Sequence, residues 1–144
     1  MPATDPRPAP ATPPTAAGSD NRIVALFHRM QALAASDLFL TEGKRPFVRV
    51  YGQIQPLDEP EVTRAEFHDF LVTRLAPGVA DRLDQQLDLD VGFSLSETDR
   101  FRLNLCFQKG RLTMVARRVP LGSLSFEQLR LPAVIKTFAE TPRG

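Results

Sequence analysis

The chain has 144 residues, enough for one domain, with 42% hydrophobic residues and a formal net charge of +1 at pH 7. So small a charge excludes the strong field of a nucleic-acid binder and points to no acidic membrane surface. The lone cysteine, Cys106, excludes a disulfide within the chain, and no apolar run approaches the ~20 residues of a membrane helix.

Residues 1–20 read as a disordered Pro/Ala-rich tail, in which Pro2, Pro6, Pro8, Pro10, Pro13 and Pro14 alternate with Ala and Thr. Such a stretch buries nothing and favours extended, solvated conformations, although a proline-binding module could also take it as a ligand. It lacks the basic-then-apolar pattern of a secretory signal. A helix is expected from Asn21 to about Ala34, capped by Ser19, Asp20 or Asn21, with Ile23, Leu26, Phe27, Met30 and Leu33 on one face. Short strands follow at Asp37–Leu40, Phe47–Tyr51 and Gln53–Leu57, separated by turns at Glu42-Gly43 and Gly52.

Thr63-Arg64-Ala65-Glu66 is a capping box and opens a helix carrying Phe67, Phe70, Leu71 and Leu75. Pro77 ends it, and Val79 and Leu83 belong to a second, short helix. Leu87, Leu89, Val91, Phe93 and Leu95 then alternate with Asp88, Asp90, Gly92 and Ser94. Phe101, Leu103, Leu105 and Phe107 alternate with Arg102, Asn104 and Cys106. Leu112, Met114 and Ala116 continue the pattern, so three strands with one dry face form an antiparallel meander. Ser125 opens a helical turn, and Pro132 suits the first position of a last helix with Val134, Ile135 and Phe138. The fold class expected is α/β (α+β), a mostly antiparallel sheet with helices on one face.

Register arithmetic singles out two arginines. With Lys109 and Gly110 as a two-residue hairpin loop, Phe107 faces Leu112, Leu105 faces Met114 and Leu103 faces Ala116. On the other face Arg102 then lies opposite Arg117, with Arg100, Arg111 and Arg118 nearby. Facing like charges cost up to about 1 kcal/mol, and a bound anion reverses that sign. Two guanidinium forks on a rigid sheet suit a phosphate. The competing reading is a solvated face whose arginines are balanced by Asp88 and Asp90. Those two aspartates could also act as a carboxylate pair, but no third metal ligand lies near them in the sequence. His28 and His68 fall on helices without partners, and one cysteine cannot assemble the usual zinc cluster. Cys106 reads either as a thiol activated by nearby arginines or as a small half-buried residue. The chain has no GxxxxGK[ST] phosphate loop and no GxSxG elbow.

Several segments, in order from about residue 21 to 144, resemble the type IV pilus retraction ATPases (PilT-like). Ala35-Ser36-Asp37-Leu38-Phe39-Leu40 resembles their ASDLHL signature, with Phe39 in place of the histidine. Gly43, Pro46, Arg49, Val50 and Gly52 match the segment that follows, with Tyr51 in place of an acidic residue. Leu87 to Phe93 resembles the strand ending D-F-S-F, Arg100-Phe101-Arg102-Leu103-Asn104 matches R-F-R-V-N, and Arg117-Arg118-Val119-Pro120 matches R-x-I-P. Phe126-Glu127-Gln128-Leu129, Leu131-Pro132 and Pro142-Arg143-Gly144 match the stretch leading to the Walker A strand. The resemblance implies a PAS-like N-terminal domain at residues 21–140 and a linker at 141–144 towards a RecA-like ATPase domain. It implies a cytoplasmic homo-hexamer that uses ATP and Mg²⁺ at an inner-membrane pilus or secretion platform protein, with no nucleic-acid partner. By motif, Arg102 and Arg117 carry over as arginines that reach the ATP phosphates. Without Walker A and Walker B segments, the chain by itself is expected not to hydrolyse ATP. A stand-alone PAS-like interaction or regulatory module is the alternative.

Overall fold

The structure, a computed structural model, describes residues 21–120, 122 and 125–141. The expected tail, and residues 142–144 of the expected 141–144 linker, lie outside the described residues. Asn21 caps α1 (Arg22–Ala32): its side-chain oxygen accepts from the Ile23 N–H at 2.9 Å. Ile23, Leu26, Phe27 and Met30 form the buried stripe of that helix.

Three short strands follow, β1 (Asp37–Thr41), β2 (Phe47–Val50) and β3 (Gln53–Pro56). The capping box before α2 (Arg64–Arg74) forms as expected. The Glu66 N–H donates to Thr63 Oγ1 at 3.3 Å and the Thr63 N–H to Glu66 Oε2 at 2.7 Å. After α3 (Val79–Gln86) come β4 (Asp88–Ser94), β5 (Arg100–Gln108) and β6 (Arg111–Val119), then α4 (Ala133–Glu140).

The strands form one six-stranded sheet in the order β3-β2-β1-β6-β5-β4, with every neighbouring pair antiparallel. It is therefore two consecutive meanders, β1–β3 and β4–β6, joined where β1 pairs with β6. The buried side chains of α1, α2 and α3 pack with one face of the sheet. Four rings meet in that core, Phe27 from α1, Phe70 from α2, Phe93 from β4 and Phe101 from β5. The Phe27–Phe101, Phe27–Phe93 and Phe70–Phe93 centroids lie 4.8, 4.9 and 5.2 Å apart. The α/β class and the mostly antiparallel sheet thus stand as read from the sequence.

Two local expectations are corrected. Leu87 is not on the dry face: it ends α3 in the left-handed region at φ 61° and is 58% exposed. Alternation continued one residue too far because the helix cap borrowed a leucine. Pro132 is the N-cap of α4 rather than its first helical residue. Val134, Ile135 and Phe138 lie on α4 but are exposed, so that helix adds nothing to the core described here.

Candidate functional site: a charged row on the open sheet face

The hairpin between β5 and β6 sets the geometry. Lys109 and Gly110 adopt φ 51° and φ 74°, the two positive values a two-residue loop of the first mirror-image type requires. The register is the one the pattern demands: Phe107 opposite Leu112, Leu105 opposite Met114, Leu103 opposite Ala116. Those side chains supply the helix-covered face, so Arg102 and Arg117 project together from the other face, directly opposite each other.

Pairing of the remaining strands extends this into a row. Arg117 is opposite Asp37 of β1, Asp37 opposite Arg49 of β2, and Arg49 opposite Ile54 of β3, while Gly92 of β4 flanks Arg102. Arg117 Nε donates to Asp37 Oδ1 at 2.8 Å, and Arg49 Nε lies 3.2 Å from Asp37 Oδ2. Ser36 Oγ donates to Asp37 Oδ2 at 2.8 Å. Arg102 Nη2 donates to Asp90 Oδ2 at 3.1 Å. The row and its border thus hold three guanidiniums, Arg49, Arg102 and Arg117, against two carboxylates, Asp37 and Asp90.

The environments differ sharply. The Arg102–Asp90 pair is open to water, with side chains 70% and 52% exposed, whereas the Asp37 side chain is only 4% exposed. Burial acts to raise the Asp37 carboxyl. The hydrogen bonds from Arg117 and Ser36, with the charges of Arg117 and Arg49, outweigh it and hold the group below the ordinary carboxylate range. Arg49 also lies over the Phe39 ring, 5.5 Å from its centroid, which steers its guanidinium along the strand.

The balance by Asp88 and Asp90 that the competing reading calls for holds for Asp90 alone. Asp88 accepts from Asn104 Nδ2 at 2.9 Å, and Asp37 is the carboxylate that receives Arg117. Of the other arginines noted in the sequence, Arg118 turns to the helix-covered face and donates to Asp99 Oδ1 at 3.1 Å. Arg100 stands opposite Val119 and Arg111 opposite Gln108, at the two ends of the hairpin. His28 and His68 are exposed on α1 and α2. Cys106 is half-buried, and burial, then the charge of Asp88, pushes its thiol up, so the arginines do not activate it. Among the described residues no three His, Cys, Asp or Glu side chains converge as metal ligands. Among the same residues no helix is long and apolar enough to cross a membrane.

Sequence reasoning missed Asp37 and Arg49. The available signal was a carboxylate opening an otherwise apolar strand, Asp37-Leu38-Phe39-Leu40, which calls for a cationic partner once the strand is central in a sheet.

No family model matches the chain. Curated relatives do. A twitching motility protein of Neisseria gonorrhoeae is 32% identical over 100 residues, 69% of this chain and 26% of that protein. The type IV pilus retraction ATPase PilT of Pseudomonas aeruginosa is 28% identical over 110 residues, 76% of this chain and 32% of that protein. Among solved structures, the pilus retraction motor PilT with bound ADP superposes with a TM-score of 0.72 at 27% identity, over 83% of this chain and 35% of that one. The chain therefore spans about a quarter to a third of the length of these relatives.

Proposed function

We propose, from the premise that the chain belongs with the PilT-like pilus and secretion ATPases and corresponds to their N-terminal domain, that its open sheet face closes over ATP held by a second, RecA-like domain. Arg102 and Arg117 meet the phosphates there. The observation that carries this is their juxtaposition: two arginines directly opposite each other on adjacent strands, both side chains 70% exposed, on the face opposite the one that α1, α2 and α3 cover. Asp90 and Asp37 each engage one nitrogen of these guanidiniums, which leaves donors on both whose fork geometry matches phosphate oxygens. Mg²⁺ bound with ATP would supply charge compensation on the phosphates. The two arginines would orient the terminal phosphate and stabilise charge as the phosphoryl group transfers.

The motor so formed is a cytoplasmic homo-hexamer acting on an inner-membrane pilus or secretion platform protein. Residues 21–140 are its N-terminal domain, and 141–144 lead to the ATPase domain. The far end of the described chain supports a covering neighbour. Leu131, Val134, Ile135 and Phe138, spaced for one helical face of α4 and its approach, are 40%, 51%, 38% and 66% exposed.

The test is steady-state ATP hydrolysis by the motor that carries this domain joined to its ATPase domain. Arg102→Ala and Arg117→Ala should each lower turnover by about 10³-fold or more while changing nucleotide affinity far less, as for arginine fingers elsewhere. Lys at either position should restore activity only in part, since it keeps the charge and loses the fork. Near-normal turnover in both alanine variants would remove the phosphate assignment and leave an interaction module.

A further inference from the structure

Asp37 poses a physical question. It is 2% exposed on the sheet face opposite the one that α1, α2 and α3 cover, and two arginines from the flanking strands reach it. A carboxylate buried beside a phosphate site works against anion binding by simple charge, so its place there needs another reason. The two arginines are also unequal. Arg117 makes an aligned bond to Asp37, whereas Arg49 Nε is buried at 3.2 Å from the same carboxylate with no aligned acceptor. Arg49 is held close by charge and by the Phe39 ring, yet it has no aligned hydrogen bond to lose.

We infer that Arg49 is a third guanidinium of the phosphate site, and that Asp37 is the positioning residue that sets Arg49 and Arg117 side by side. The inference rests on the reading of Arg102 and Arg117 given above and extends it to a polyphosphate-sized anion. A row of three guanidiniums on β2, β6 and β5 spans more than one phosphoryl group, because Arg49 and Arg117 stand two strands apart and adjacent strands lie about 4.8 Å apart. By engaging the Arg117 guanidinium through Nε, Asp37 leaves both of its terminal nitrogens for a ligand. Positioning and charge predict opposite signs when Asp37 is neutralised. As a mere counter-charge, its loss tightens anion binding; as a positioning group, its loss weakens it.

The experiment is a titration of the 144-residue chain with inorganic tripolyphosphate, following the arginine Nε–H resonances by NMR and affinity by calorimetry. Arg49, Arg102 and Arg117 signals should move together along one binding curve. Asp37→Asn should weaken binding about three- to tenfold although it removes a negative charge. Arg49→Gln, which leaves the Arg117–Asp37 bond intact, should weaken it similarly, and Arg49→Lys should recover part of the loss. If Asp37→Asn melts the chain, Arg49→Gln decides alone. Tighter binding by Asp37→Asn, or unchanged affinity in Arg49→Gln, overturns the inference. Movement of Arg102 and Arg117 without Arg49 overturns it while sparing the phosphate reading. If none of the three moves, both fall.

Discussion

Arg102 and Arg117 face each other, but removing them should not cost the fold the same amount. Arg102 pairs with an exposed Asp90, an interaction of about 0–1 kcal/mol, and its loss also relieves repulsion from Arg117. Arg102→Ala should therefore melt close to the parent. Arg117→Ala strips a hydrogen bond from the buried Asp37 and should cost about 1–3 kcal/mol, read as a lower melting temperature. The sequence placed the two arginines correctly because local alternation fixes a hairpin register. It could not supply Asp37 as a partner, because that contact joins residues 80 positions apart and nothing local announces it. The same carboxylate gives a pH dependence. Its folded pKa lies below the ordinary value of ~3.9, so the stability it contributes is present above that value and is lost as pH falls through the folded one. Glu66 behaves likewise: burial opposes, but the Thr63 N–H, Arg22 and the Thr63 hydroxyl prevail. Melting temperature should fall as pH drops below about 4, and Asp37→Asn should flatten that fall. A slope unchanged by Asp37→Asn would show that the carboxylate is not held low.

At the scale of elements, the β5–β6 hairpin carries a visible flaw. Lys109 occupies a left-handed position, φ 51°, that a side chain disfavours and that Asn or Gly accepts readily. Lys109→Asn should raise stability by about 0.5–1 kcal/mol with no change in the Arg102–Arg117 register, as followed by cross-strand NMR contacts. A loss of stability would mean that the loop is not the mirror-image turn described. The cap of α2 is the converse case: Thr63→Ala should cost about 0.5–2 kcal/mol in denaturant unfolding. Both features were legible beforehand, since turns and caps are written in two to four adjacent residues. The start of β4 was not. Leu87 continues the apolar alternation by residue type but belongs to the end of α3, where its N–H reaches the Leu83 carbonyl at 2.8 Å. Pattern alone cannot separate a helix cap from the first residue of a strand when both are leucine. The apolar spacing of α4 was read correctly as a helix, but whether such a face is buried depends on what lies beside it.

The whole molecule is two meanders sharing one seam. Residues 37–56 form one and 88–119 the other, with α2 and α3 between them in sequence, and only the β1–β6 pairing joins the two halves of the sheet. Because every residue of α4 is exposed, truncation after residue 130 should leave the melting temperature nearly unchanged, and a large drop would show that α4 supports the domain. The seam has a kinetic meaning as well. Each meander closes through short loops, whereas the paired residues of β1 and β6 lie 72 to 80 positions apart, so seam closure is the step that contact order makes slow. Asp37 and Arg49 belong to the first half, Arg117 and Arg102 to the second. The charged row therefore does not exist until the last join is made, and an anion bound across it would clamp that join like a latch. Such a ligand should slow the opening of β1 and β6 in amide hydrogen exchange more than that of the four-ring core, which draws the helices together without it.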